Sequence, residues 1–374
     1  MSLRASFASL WKAPRAPCGD EDAYDPARVF DFASVAATHP PFAAFDQLRS
    51  SGPVVFLTRH GVWIAVSHDA VREALEASHI FSSTPQNTID PVLLGADQPG
   101  HGIIRRLLAT YLTRARLADI GSQATTDARD LIRPQFDLVA DFAAPLARRA
   151  AARLVGLGER QIGLVLDGDD LNLPPDRIGE QSRDTLASAR LFAWIVSAQG
   201  AAIGEAAALS LVRLMCRAAA ETTERLIVRS AWSLLGEQSL HAALRESPAG
   251  LAPFVDEVAR LYPPEPNVLR RTVRPVSLGG VELPGGTTIF LSLLAANRDP
   301  STFHNPAELR LDRERTAHLA FSAGPHHCLG AGIGRQLTLV ALRELLARSA
   351  APGESAELAV VQGIATPTRL IVWT

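Results

Sequence analysis

The spacing of apolar and polar positions changes character along the chain. Over 53–66, PVVFLTRHGVWIAV, two apolar runs flank Arg59-His60-Gly61 and predict a pair of strands joined by a turn. The middle of the chain then takes a helical period. DAVREALEA (69–77), HGIIRRLLATYL (101–112) and FAAPLARRAAARLVGL (142–157) place apolar residues three and four apart. From Glu205 to Leu235 there is neither glycine nor proline, and Gly204 and Gly236 bracket the stretch. This predicts one helix of about 46 Å at ~1.5 Å per residue. It is apolar on more than one face, so much of it must be buried. VSLGGVELPGGTTIFLSLL (276–294) returns to strands and tight turns, and AELAVVQGIATPTRLIVWT (356–374) predicts a terminal hairpin.

The order is small sheet, many helices, small sheet, cysteine-bearing loop, helix, hairpin. That predicts a mainly α fold with a minor β part (α+β), as one domain over 31–374 after a loosely ordered extension over 1–30. The strand–helix alternation of a dinucleotide fold is missing, and LGGVELPGG sits inside a strand pattern rather than in a phosphate loop. The 374 residues, 47% of them hydrophobic, suffice for a large core. A formal net charge of −2 gives no field that would favour nucleic acid. Nor does any uninterrupted apolar run approach the ~18 residues of a membrane span, and the opening residues lack the apolar core of a signal peptide. The expectation is a cytoplasmic protein, with no membrane and no nucleic acid among its partners. Cys18, Cys216 and Cys328 are too far apart in sequence to suggest a disulfide framework. Lys12 is the only lysine among 37 basic residues, so any basic docking surface is built from arginine.

The chemistry concentrates in AFSAGPHHCLGAGIGRQL (320–337). Gly324, Gly330 and Gly332 let the backbone turn tightly and approach a flat object. Amide groups freed by such turns, and the start of a helix near Leu329, can stabilise a thiolate at Cys328. The other two cysteines are wrongly spaced for a zinc knuckle. From the loop alone, a buried inert cysteine remains an equal alternative.

Phe321, Gly324, His326, Cys328 and Gly330 form F-x-x-G-x-H-x-C-x-G, which resembles the haem-binding loop of the cytochrome P450 family. Ser322 stands where that family often has glycine. The resemblance implies haem b (iron protoporphyrin IX) with Cys328 as axial iron ligand, Phe321 packed by the sulfur and His326 at a propionate. Other segments follow in the family's order. EVARLYPP carries Glu257 and Arg260 one turn apart, as in the E-x-x-R pair that fixes the cysteine loop; on spacing alone they could equally be a surface bridge. AANRDPSTFHNPAELRLDR resembles the segment that comes next, with Leu309 in place of an aromatic. DQPGHGIIRRLL places His101 and Arg105 on one helix face, where the resemblance assigns them to a propionate, although Gly100 and Gly102 replace bulkier residues. NVLRRTV supplies Arg270, or failing that Arg271, for the other propionate. CRAAAETTERL resembles A-G-x-[DE]-T, with Ala219 for glycine; Glu221 beside Thr222 would relay protons to dioxygen.

The resemblance runs over roughly 40–374 and is weakest between Leu157 and Ala206. That segment is short for the family's lid helices and carries Asp167, Asp169 and Asp170. It reads either as trimmed loops or as an open mouth for a bulky or carrier-bound substrate. Pocket residues expected from the resemblance include Leu93, Leu94, Ala218, Ala219, Val268, Leu269 and Ile364. The implied activity is a monooxygenase acting with dioxygen on a small organic or natural-product substrate in secondary metabolism. Electrons would come from NAD(P)H through an external ferredoxin or flavodoxin and its reductase. An acidic ferredoxin would dock near Cys328 on arginines such as Arg105, Arg106 and Arg335. Two other readings stand beside it. One is a haem-thiolate enzyme using peroxide, or catalysing coupling or rearrangement, possibly on a carrier protein. The other is a relative that binds haem without turnover.

Overall fold

A computed structural model of the chain describes residues 26–31, 42–84, 92–167, 179–199, 203–313, 318–361 and 364–374. Six helices position the site. They are α1 (His68–Glu76), α2 (Gly100–Tyr111), α3 (Ala144–Val155), α4 (Glu205–Leu235), α5 (Leu251–Leu261) and α6 (Ala331–Ala347). In chain order the strands are β1 (Val54–Leu57), β2 (Val62–Ala65), β3 (Phe81–Ser82), β4 (Gln135–Asp137), β5 (Asn267–Thr272), β6 (Val276–Leu278), β7 (Val281–Leu283), β8 (Thr288–Ser292), β9 (Ala351–Val361) and β10 (Ile364–Trp373). Among the described residues no helix is long and apolar enough to cross a membrane.

The two strands expected over 53–66 pair antiparallel, with Val55 opposite Ile64. They do not stand alone. β2 runs parallel to β8, and the sheet continues in the order β1-β2-β8-β5-β3. This brings the late segment 267–292 back beside the early hairpin. The terminal hairpin β9–β10 forms as expected and takes β4 as a third strand. Pro26–Val29 is a short helix, and Ala27 and Phe30 are buried with Phe42, Phe45 and Leu57. The extension expected over 1–30 therefore ends in packed residues; 1–25 lie outside the described ones.

α4 spans 31 residues between Gly204 and Gly236, as its bracketing predicts. It is buried on opposite faces, for example at Leu211, Cys216, Ala220, Ile227 and Ala231, so it passes through the core rather than over it. Between Arg217 and Thr222 burial becomes partial except at Ala220, which marks where one side of the helix borders a cavity. α3 packs along α4 after an irregular π-helical turn, Leu138–Ala143, which no apolar period announces.

α5 ties this core to the cysteine loop. Arg260 is 1% exposed and Glu257 6% exposed. Arg260 donates to both carboxylate oxygens of Glu257 at 2.8 and 2.9 Å. Its remaining donors reach the carbonyls of Asn297, Pro306 and Glu308 at 2.8–2.9 Å. Glu257 also accepts from Arg310 N at 3.1 Å and Arg313 Nε at 3.0 Å. Asn297 in turn accepts Leu319 N at 2.6 Å on its side-chain oxygen, two residues before Phe321. The pair is thus a buried structural bridge and not a surface one. Burial alone would raise the Glu257 carboxyl, but the hydrogen bonds and charge of Arg260 outweigh it and hold the group below its usual 4.5. The stability it contributes is complete above that unfolded value and is lost as pH falls through the lower folded one.

Removing either partner leaves an uncompensated buried charge. Glu257→Ala and Arg260→Ala are each expected to cost about 3–5 kcal/mol in denaturant unfolding. A loss below ~1 kcal/mol would instead describe an exposed ion pair.

Candidate active site

A cavity open at one end lies between α4, the β5 strand and the cysteine loop. α4 lines it with Met215, Ala218, Ala219, Thr222, Thr223 and Leu226, a stripe that repeats every three or four residues. Ala150, Ala151 and Leu154 of α3 and Leu93 and Leu94 add further apolar wall. Opposite them stand Phe321, Ser322, His326, Cys328 and Gly330.

The loop is held by its backbone. Cys328 N donates to Phe321 O at 2.8 Å, and Ala331 N at the head of α6 reaches Cys328 O at 3.4 Å. Gly324 has φ +62°, and a Cβ there would stand 2.7 Å from Leu75 O and 2.8 Å from Glu76 Cα of α1. Only glycine fits between the loop and that helix. The exposed surface of Cys328 borders the cavity. Burial of the thiol raises it above its ordinary value, outweighing the amides of Gly330 and Ala331 and the charges of Arg105 and Arg335. The amides act in the expected direction but do not by themselves ionise the cysteine; a thiolate there would need a cation at the sulfur.

Two arginines, Arg105 and Arg270, and two histidines whose burial favours the neutral ring, His101 and His326, gather at one edge. The rings of His101 and His326 lie 4.0 Å apart, centroid to centroid. Ser83 Oγ is 3.1 Å from His326 Nε2. Burial, reinforced by His101 and Arg270, pushes His326 down to about 3. Arg270 is buried, its Nε has no hydrogen-bond partner, and burial brings it down to about 10. Arg105 lines the cavity beside them. Asp97, the nearby carboxylate, is already occupied by Ser82, Ser83 N and Thr84. The group calls for an anion from outside the chain.

On α4, Thr222 lines the cavity and its Oγ1 donates to Ala218 O at 2.7 Å. Glu221 does not line it. Its carboxylate accepts from Arg217 Nε at 3.0 Å and Arg225 Nη2 at 3.2 Å. Adjacent helical residues point about 100° apart, so an acid and an alcohol next to each other in sequence need not share a face. In this conformation the alcohol is at the cavity wall and the acid lies in an ion-pair network with Arg217 and Arg225. Arg225 also lies 3.8 Å from Glu265, the carboxylate that does border the cavity.

A profile of the cytochrome P450 family matches residues 249–349. Cytochrome P450 107B1 of Saccharopolyspora erythraea is 30% identical over 284 residues, 70% of each chain. The chain belongs to the cytochrome P450 family. Erythromycin C-12 hydroxylase of the same organism is 28% identical over 80% of this chain and 85% of its own. CYP109E1 of Bacillus megaterium, solved with corticosterone, superposes with a TM-score of 0.77 at 22% identity, covering 91% of this chain and 99% of that one. The fold is the P450 fold, mainly helical with small sheets, and P450s are haem-dependent monooxygenase oxidoreductases.

The residues present suit that cofactor. A cysteine borders the floor of the cavity, and the orphaned Arg270 Nε with the His101–His326 stack fits the acid groups on the edge of a haem. Among the expected pocket residues, Leu93, Leu94, Ala218, Ala219 and Val268 line this P450's cavity. Leu269 does not and is 38% exposed. Along β5 the buried Arg270 and the lining Val268 share one face, so Leu269 points to the other. Arg271 likewise turns outward, to Gly286 O at 3.1 Å, which favours Arg270 over its neighbour. Ile364 opens β10, but its side chain lies outside the described residues. Asp169 and Asp170 also lie outside them, while Asp167 pairs with Arg148 at 2.8 Å. Arg335 is committed to Asp256 at 2.6 Å and is not a free steering charge.

Ser322 has φ +61° and ψ −175°, a region that glycine occupies without penalty, and its Oγ is buried without a partner. Such strain costs about 1–3 kcal/mol. Ser322→Gly should recover it, less ~0.4–1 kcal/mol for the freer unfolded chain, giving a net gain on the order of 1 kcal/mol in denaturant unfolding. A lower midpoint would show that the serine conformation is unstrained.

Proposed function

We propose that this P450 hydroxylates a bulky, mostly apolar natural product of secondary metabolism, with Cys328 as the axial ligand of haem b. Electrons come from NAD(P)H through an external ferredoxin or flavodoxin and its reductase. The observation that carries the reading is that one cavity is lined by both Cys328 and Thr222, with His101, Arg105 and His326 also on its wall. The apolar lining supports the substrate class. So does a relative named as an erythromycin C-12 hydroxylase.

The haem, when bound, supplies the redox chemistry that activates dioxygen. The chain does the rest. Cys328 gives the thiolate, and Phe321 closes the loop beside it. His101, Arg105, Arg270 and His326 take the acid groups that the cofactor carries on its edge. Leu93, Val268, Ala218 and Ala219 shape the substrate space and keep water sparse. Thr222 holds a hydroxyl at the wall. In the observed rotamer its one proton is committed to Ala218 O, so donation into the cavity requires rotation about χ1. Glu221, tied to Arg217 and Arg225, fixes the outer face of the same turn. An acidic redox protein would meet Arg105 and the exposed Arg106 near the cysteine face.

Reduced protein with carbon monoxide is expected to show the absorption band of thiolate ligation, and Cys328→Ser is expected to lose it. A parental spectrum in that variant would refute the ligand assignment.

Thr222→Ala should keep haem but form less product per electron, with peroxide rising. General acid–base help is worth roughly 10²–10⁴-fold, and water entering the gap keeps the loss at the low end. Because Glu221 faces away, Glu221→Gln should disturb coupling far less than Thr222→Ala. Product, reductant and peroxide measured together decide it. Coupling indifferent to Thr222 would favour peroxide-driven or oxygen-independent chemistry.

A further inference from the structure

α5 carries two adjacent carboxylates that serve different arginines. Glu257 is spent on Arg260. Asp256, its neighbour, points elsewhere and accepts Arg335 Nε at 2.6 Å. His318 Nε2 lies 3.8 Å from the same carboxylate. The guanidinium of Arg335 stands over the Phe321 ring, 4.0 Å from its centroid. The ring of His318 packs on that ring too, at 5.8 Å. Phe321 in turn accepts the backbone hydrogen bond of Cys328. A cation is therefore held on the ring of the residue whose carbonyl accepts the Cys328 amide, by a carboxylate from the helix that anchors the loop.

We propose that Arg335, held in place by Asp256, is a positioning residue that raises the electron affinity of the iron bound at Cys328. The inference rests on the reading of Cys328 as the ligand. Reduction takes the iron from ferric to ferrous with one electron from the external redox protein, and no bond of the chain forms or breaks. The added negative charge is favoured by a fixed positive charge nearby. An untethered arginine on this half-exposed face would be solvated and screened. The Asp256 bond and the ring beneath hold the guanidinium in a single position, and groups around a metal ligand tune the metal in this way.

The test is the midpoint potential of the haem-loaded protein, by spectroelectrochemistry, in the parent, Arg335→Gln, Asp256→Asn and the double variant. Arg335→Gln should disfavour reduction about tenfold, a shift of ~59 mV to more negative potential for one electron. Asp256→Asn should shift it the same way by less, because the guanidinium loses its hold. The double variant should match Arg335→Gln alone. A potential in Arg335→Gln within twofold of the parent's equilibrium would overturn the proposal. So would easier reduction in Asp256→Asn, which would mean that the aspartate acts by its own charge. The carbon monoxide band separates the two readings. Its absence from the parent removes the ligand assignment. Its presence in all variants with an unmoved potential removes this inference alone.

Discussion

Arg260 is the group on which the rest of the site depends. A guanidinium that is 1% exposed must have all its donors matched, because each orphan in the interior carries a desolvation penalty. Glu257 takes two of the contacts, and three backbone carbonyls from 297–308 take the others. Those carbonyls belong to an irregular stretch with little regular hydrogen bonding of its own. Arg260 therefore acts as the organising centre of a loop, and Asn297 transmits the order to Leu319 and so to the cysteine turn. A hydrophobic contact could not do this, because it does not specify direction.

The opposite strategy governs the edge of the cavity. Arg270 is buried without a sufficient counter-charge and is pulled down by that burial, while burial keeps His326 neutral. The chain gives up stability there, and an anion bound at that edge would restore it. Ligand binding and folding are then linked: whatever binds the native state alone stabilises it in proportion to its affinity. The thiol of Cys328 fits the same pattern, being kept neutral by burial until a cation is present. On the proposed reading, haem would bring a positive charge to the sulfur and negative charges to the edge.

Much of this was legible from the chain, and the reasons are specific. Gly204 and Gly236 delimit α4 to the residue because glycine is a poor helix former and nothing between them breaks the helix. The cysteine loop shows itself because Gly324 admits no side chain beside α1. What escaped was direction. Glu221 and Thr222 are neighbours in sequence but point about 100° apart, and only the stripe Met215, Ala218, Ala219, Thr222 and Leu226 reveals which side meets the cavity. Leu269 fails for the same reason in a strand, where alternation with Arg270 was available as a signal. Ser322 hides its cost because a positive φ leaves no mark on composition. Arg313 and Arg310, partners of Glu257 more than fifty positions away, have no local pattern at all.

α5 shows how little sequence is needed to serve two ends. Asp256 and Glu257 are consecutive, so their side chains diverge around the helix and cannot compete for one arginine. Glu257 is nearly sealed from solvent, which suits a bond whose role is permanent. The Asp256–Arg335 pair is about one third exposed on each side chain, so its contribution to stability is small and open to adjustment by solvent and salt. A pair that adds little to folding can be exchanged without unfolding the protein. A cation set on Phe321 by such a pair is therefore suited to adjusting a property of the site, while the buried bridge one residue later keeps the loop in place.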